Sequence, residues 1–156
     1  MKKMLIAIND SSTAMKAVEY VAEQFAADSV QIGIVNVLPN LPAIFWDEGH
    51  ILSDDEKRDR KKVVDKWLDA EREKMEPLLK KAVAALTAKG IPSSRVQTKY
   101  ISDSTDVADS IIEEARDGGY ETIVVGRYHH SPKNTLGTVS QRIATLATGL
   151  IVTIVG

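Results

Sequence analysis

The chain has no cysteine. A disulfide framework, a thiolate metal centre and a cysteine nucleophile are therefore excluded, and the absence fits a reducing, cytoplasmic setting. An excess of either charge is also missing. Twenty basic residues stand against 22 acidic ones, for a net charge of −2 at pH 7. That balance argues against binding nucleic acid or an anionic membrane over a broad surface, while leaving room for a local basic patch. No apolar run approaches the roughly 18 residues of a membrane span. The apolar stretch after Met1-Lys2-Lys3 ends at Ile8, and no small-residue cleavage site follows it, so neither a membrane anchor nor an export signal is expected. Internal repeats, low-complexity tracts and interdomain linkers are absent as well. The 156 residues are expected to form a single domain spanning 1–156, long enough to bury a sizeable core.

What is present is an alternation of two periodicities. Met4 to Ile8 is a short continuous apolar run, the mark of a strand buried on both faces. Asn9-Asp10-Ser11-Ser12 are turn formers and helix caps, and Ala14, Ala17, Val18, Val21, Ala22 and Phe25 then recur at helical spacing. Val30 to Leu38 reads as a second strand, ended by Pro39, Asn40 and Pro42. Residues 39–53 read as a loop in which Phe45 and Trp46 serve as a lid, a partner contact or packing.

Asp54 to Lys89 is helical in pattern and highly charged, and Pro77 is expected to kink or divide it. Its mixed charges over 54–60 read as a solvated face. Gly90 and Pro92 supply a stop signal. Arg95 to Ile101 is a less apolar third strand, expected nearer an edge. Asp103-Ser104 are read as the cap of a helix with Val107, Ile111, Ile112 and Ala115 inward. Thr122 to Val125, Gly137 to Ala147 and Leu150 to Val155 read as strand, helix and strand. Strands alternating with helices imply right-handed parallel crossovers. Five strands fit an α/β doubly wound parallel sheet of order 3-2-1-4-5 with helices on both faces. Ligands bind such sheets at the carboxyl ends of strands where the order reverses. Here that point lies between the first and fourth strands, so the loops at Asn9 and Gly126 should meet.

The stretch Ile123-Val124-Val125-Gly126-Arg127-Tyr128-His129-His130, followed by Leu136-Gly137-Thr138-Val139-Ser140-Gln141-Arg142, is strand, basic loop and helix start. Unsatisfied N–H groups at a helix N-terminus favour anions, which suggests phosphate or nucleotide. The same glycines are also consistent with a strand end and a helix cap alone. Adjacent histidines in an extended loop point to different sides and no third ligand is spaced near them, so His129-His130 read as solvated or phosphate-facing rather than as a metal site. Asp10, Ser11 and Ser12 have no local histidine to activate a serine, and read as caps rather than a nucleophile and its acid.

These segments together resemble the universal stress protein family over essentially the whole length. The family's first strand, roughly V-A-V-D-x-S, stands here as Ile6-Ala7-Ile8-Asn9-Asp10-Ser11. Its second strand ends in a polar residue and valine, as do Asn36-Val37, and a variable loop and long charged helix follow. Thr105-Asp106-Val107-Ala108 keep part of its G-D-P-A. Of G-x2-G-x9-G-[ST], Gly126 and Gly137-Thr138 remain, with Val139-Ser140 after them. There are three departures from the family pattern: Asn9 replaces the first-strand acid, His129 replaces the second glycine, and the interval to Gly137 is two residues shorter.

The resemblance implies ATP or AMP at the switch point, with Mg²⁺ if a triphosphate is held. Asn9, after Ala7 and Ile8, would meet the ribose as a neutral amide without the charge-assisted strength of a carboxylate. Val37 would offer backbone groups to adenine, and Gly126, Arg127, His129, Gly137, Thr138, Val139 and Ser140 would surround the phosphates. The implied role is a regulatory or protective module of the stress response acting on an unidentified protein partner. The alternative is a dimeric interaction module of the same family without nucleotide. No general base stands near the phosphate loop, so slow ATP hydrolysis is the most chemistry expected. The apolar, β-branched run 151–155 would lie at a sheet edge. Pairing two such edges across a two-fold axis would cover them, and the resemblance implies a homodimer of this kind.

Overall fold

The structure, a computed structural model, describes residues 1–40, 53–127 and 137–156. Five strands form one parallel sheet: β1 (Lys2–Ala7), β2 (Val30–Val37), β3 (Val96–Ile101), β4 (Thr122–Gly126) and β5 (Ile151–Val155). Their order is β3-β2-β1-β4-β5, as the alternating pattern predicts. Four helices connect them: α1 (Ala14–Phe25), α2 (Asp54–Ala88), α3 (Val107–Asp117) and α4 (Thr138–Leu146).

The two faces of the sheet follow from the two-residue period of a strand. Met4, Ile6, Ile8, Ile32, Ile34 and Val124 point to one side and pack against α1 and the end of α2. Leu5, Ala7, Val35, Ile123 and Val125 point to the other, against α3 and α4. From Met4 onward β1 is therefore buried on both faces, which is why its sequence there is continuously apolar. β3 is an edge strand, and Gln97, Thr98 and Lys99 on it are exposed.

Three local expectations change. Pro77 does not divide α2, which runs unbroken for 35 residues, or about 52 Å at 1.5 Å per residue. The proline removes one bond, to the carbonyl of Glu73, and both residues are exposed, so water can replace it. The buried residues of α2 (Leu79, Ala82 and Leu86) all follow Pro77, so the N-terminal half stands outboard of the sheet. Its start is fixed by Ser53, whose Oγ accepts the N–H of Glu56, and by acidic Asp54, Asp55 and Glu56 in the first turn. Its end is a Schellman turn on Gly90 at φ +100°, with Ile91 N–H on the Leu86 carbonyl and Gly90 N–H on that of Thr87.

The cap of α3 is Asp106, accepting the N–H of Asp109, and not Asp103-Ser104, because Asp106 is the residue immediately before the first helical turn. The cap of α1 is Thr13 and not a residue of Asn9–Ser12, and it makes no side-chain cap bond because its backbone (φ −96°, ψ −8°) is helical and not the extended conformation such a bond requires.

The outboard half of α2 is tied to the sheet by Tyr100 on β3, whose hydroxyl donates to Glu76 Oε2 at 3.0 Å. Burial, then the hydrogen bond and charge of Glu76, push the Tyr100 phenol up to about 12. The fold thus holds a proton that the unfolded chain releases from about pH 10. Stability from this contact is complete below about pH 10 and lost as the pH rises toward about 12. Lys99, raised chiefly by its hydrogen bond to Glu114, and Tyr120, raised chiefly by burial, act in the same direction. Tyr100→Phe should flatten, without abolishing, the alkaline fall in urea-unfolding free energy. A wild-type slope in the variant would contradict the assignment.

Candidate functional site

The carboxyl ends of β1, β2 and β4 converge at the point where the strand order reverses. Ala7 and Ile8 are fully buried there, and the Ile8 N–H continues the ladder to the Val35 carbonyl at 2.9 Å. Asn9 follows, only 4 % exposed, and its Oδ1 accepts the N–H of Ser11 at 3.0 Å, a side-chain turn that lifts the chain toward α1. Asn36, also 4 % exposed, donates its Nδ2 to the Ile8 carbonyl at 2.9 Å and so bridges β1 and β2 beyond their last paired residues.

These amides are incompletely used. Asn9 Nδ2, Asn36 Oδ1 and Ser11 Oγ are buried and have no hydrogen-bond partner among the described residues. Burying a polar group without a partner costs about 1–3 kcal/mol, so native proteins rarely leave three together. Asn9 and Asn36 line a cleft of about 310 Å³. Val37, Pro39 and Val107 give it apolar walls, and α2 closes one side with Glu71, Lys74 and Met75. Lys74 Nζ holds Glu71 Oε1 at 2.8 Å. A cleft of this size with apolar walls and a few convergent polar groups is what a planar heterocycle carrying a polar substituent requires.

The β4 side is built differently. Gly126 is buried because Thr13 at the start of α1 lies directly on it, and a Cβ there would come within 2.5 Å of Thr13 Oγ1 and 2.8 Å of its carbonyl carbon and oxygen. Ser140, fully buried, donates its hydroxyl to the Gly126 carbonyl at 2.7 Å, tying α4 to the end of β4. The Gly137 N–H donates to the Arg127 carbonyl at 2.9 Å, and the Arg127 N–H to that of Val155 at 2.7 Å. Gly137 is the buried N-cap residue of α4, Thr138 is exposed and Val139 half-buried. His129, with His130, lies outside the described residues, as do His50, Phe45 and Trp46.

The sequence profile of the universal stress protein family matches residues 1–152. The chain belongs to the universal stress protein family. No curated protein matches it by sequence. Among solved structures, the chain is similar to a universal stress family protein from Burkholderia pseudomallei, with 22 % identity, a TM-score of 0.67, and coverage of 98 % of this chain and 94 % of that one. A universal stress protein from Archaeoglobus fulgidus in complex with dAMP has 16 % identity and a TM-score of 0.60, covering 100 % and 98 %. A family member from Arabidopsis thaliana with AMP bound has 18 % identity and a TM-score of 0.64, covering 99 % and 90 %. These likenesses establish the fold.

Within this universal stress protein, the expected site residues divide into two groups. Asn9 and Val37 share the cleft, with Ala7 and Ile8 buried beneath it. Gly126, Arg127, Gly137 and Ser140 are joined to one another by hydrogen bonds around the end of β4. Asn36, Glu71, Lys74 and Met75 were not among the expected site residues. Asn36 was detectable as the lone amide in the apolar run from Ile32 to Leu38. Nothing in a uniformly charged helix distinguishes Glu71 and Lys74 from their neighbours. Among the described residues, no three histidine or carboxylate groups converge as a metal site, and no helix is long and apolar enough to cross a membrane.

Proposed function

We propose that this universal stress protein binds an adenine nucleotide, AMP or ATP, in the cleft at the ends of β1 and β2. The observation that carries the reading is the set of unpartnered buried amide atoms on Asn9 and Asn36, both lining that cleft. The nucleotide complexes of the two structural relatives support the choice of ligand class. The base would lie between Val37, Met75 and Val107. Asn9 would donate to a ribose hydroxyl, and Asn36 would accept from a donor on the ligand. The N–H groups opening α4 at Thr138 and Val139 would face the phosphates, with Mg²⁺ accompanying a triphosphate. Ser140 and Gly126 then act by holding the α4 start in place, since the Ser140 hydroxyl is already committed to the Gly126 carbonyl.

The module acts in the cytoplasm as a regulator or protector. Nucleotide stabilises the loop after β4 and so changes a surface that a partner reads. A second reading is a dimeric interaction module without nucleotide. It is favoured by the packing of Thr13 on Gly126, which explains that glycine with no ligand. Mass spectrometry of small molecules released from natively purified, denatured protein, followed by calorimetric titration of AMP and ATP with Mg²⁺, separates the two. Released or bound adenine nucleotide supports the first. No released nucleotide and no heat at millimolar ligand supports the second.

The protein forms a homodimer through β5 under either reading. Ile151 is 60 % exposed on this edge strand. Ile151 N–H and Val155 C=O bond toward β4, so the backbone groups of Val152 and Ile154 face the open side. Ile154→Pro removes one outward donor and leaves the β4 ladder intact. Sedimentation should show dimer for the wild type and monomer for the variant. A variant that remains dimeric would contradict pairing through this edge.

A further inference from the structure

The opposite end of the sheet, where the strands begin, carries a second hollow of about 90 Å³. Its lining includes Lys3, Gln31, Gln97, Ser94, Arg95 and Tyr120. The topology explains why they meet. Lys3 pairs in register with Gln31, and Gly33 with Gln97, on neighbouring strands. By strand alternation Lys3, Gln31, Gly33 and Gln97 all belong to the face that carries Leu5 and Val35. Gly33 has no side chain, and the Tyr120 ring fills the space, since a Cβ at residue 33 would overlap the Tyr120 hydroxyl. Ser94 and Arg95 come from the short 3₁₀ turn Ser93–Arg95 that leads into β3.

The chemistry of this lining is one-sided. It contains two cations and no carboxylate. The Lys3 ammonium donates to the Gly118 carbonyl and sits 4.8 Å from the centre of the Tyr120 ring, which orients it and leaves two of its three hydrogens for other acceptors. Arg95 has no ion-pair partner among the described residues. The Glu114 carboxylate, which acts on Tyr120, is itself held by Lys99 at 2.8 Å. Two amides and two hydroxyls complete a ring of donors. The volume admits one phosphate-sized group and is too small for a nucleoside.

We propose that this hollow is a second ligand site, for a single tetrahedral oxyanion, at the end of the sheet opposite the nucleotide cleft. The oxyanion is either a free ion or the terminus of a phosphomonoester. Arg95 and Lys3 supply the charge, and Ser94, Gln31 and Gln97 supply further donors. The site does not depend on the nucleotide reading.

The test is a titration of ¹⁵N-labelled full-length protein with inorganic phosphate at constant ionic strength, following the amides of Lys3 and residues 94–97. Saturable single-site shifts are expected in the millimolar range, unchanged by saturating adenosine, which lacks the phosphate. Arg95→Gln should weaken the binding about tenfold, as expected for losing a charge-assisted donor. Gln97→Glu, an exposed change that places a carboxylate in the ring, should weaken it at least as much. Glycerol 3-phosphate binding alongside phosphate identifies a phosphomonoester terminus as an acceptable occupant. Phosphate binding alone identifies the free ion. Absence of saturable shifts at these amides up to about 50 mM, far weaker than any useful affinity, overturns the proposal. Equal binding by the wild type and both variants also overturns it.

Discussion

Gly126→Ala is expected to lower the unfolding free energy by about 3 kcal/mol, at the upper end for one added methyl group in a packed interior. The new Cβ would lie 2.5 Å from Thr13 Oγ1 and 2.8 Å from the Thr13 carbonyl carbon and oxygen. A flexible side chain could step aside, but backbone cannot do so cheaply. The Thr13 carbonyl accepts the N–H of Ala17 at 3.2 Å, so moving it breaks the first bond of α1. On the other side, the Gly126 carbonyl is held by Ser140, and the next residue bonds to Val155. Urea unfolding should show a lower midpoint with an unchanged slope. Thr13→Ala in the same chain should restore little, because it removes the hydroxyl and leaves the clashing carbonyl. Wild-type stability of Gly126→Ala would mean that the glycine is not required by this contact.

Asn36→Asp should be comparably damaging at neutral pH, by about 3 kcal/mol, although it changes one NH₂ into an oxygen. Asn36 donates to the buried Ile8 carbonyl at 2.9 Å. An ionised aspartate would place a second acceptor against that carbonyl, with no donor between them and little water. Protonation would restore a donor. The folded-state pKa of the new carboxyl is therefore raised above its unfolded value. Its stability is retained below the unfolded value and lost as the pH rises through the folded one. The gap between wild type and variant should thus widen from mildly acidic to neutral pH. Asn36→Ala avoids the charge, should cost about 1–2 kcal/mol at any pH, and should weaken nucleotide binding about tenfold. A gap for Asn36→Asp that does not change with pH would contradict the burial and bonding assigned to this side chain.

The strand order was legible because its physics is local. A continuous apolar run at 4–8 and apolar-rich, β-branched runs at 30–38 and 122–125 mark strands covered on both faces, and the helical stripe between Ala14 and Phe25 leaves no other connection than a crossover. The end of α2 was legible for the same reason, since Gly90 takes a φ that few other residues tolerate. Where several residues compete for one role, sequence alone gave the wrong one. Asp103, Ser104 and Asp106 are all good caps, and only the register of the helix selects Asp106. Pro77 leaves α2 unbroken because its effect depends on whether the lost bond faces water, which composition does not reveal.

The candidate site was half legible. Asn9 and Val37 could be placed from motif and topology. The contribution of α2 could not, because Glu71 and Lys74 owe their place in the cleft to how a long helix overhangs the sheet. Gly126 and Ser140 stand at the strand end and helix start, and their contacts with Thr13 and with each other show a packing role that a glycine pattern cannot distinguish from phosphate binding.

The proposed nucleotide would fill the cleft at Asn9 and Asn36. The most direct measurement is an AMP titration of ¹⁵N-labelled protein that follows the side-chain NH₂ resonances of these two asparagines. The Asn9 NH₂ signal, whose donor has no partner among the described residues, should move most and saturate, with smaller shifts for Asn36, Val37 and Met75. Saturable binding that leaves both asparagine side chains unmoved, or no binding at millimolar AMP, would contradict it.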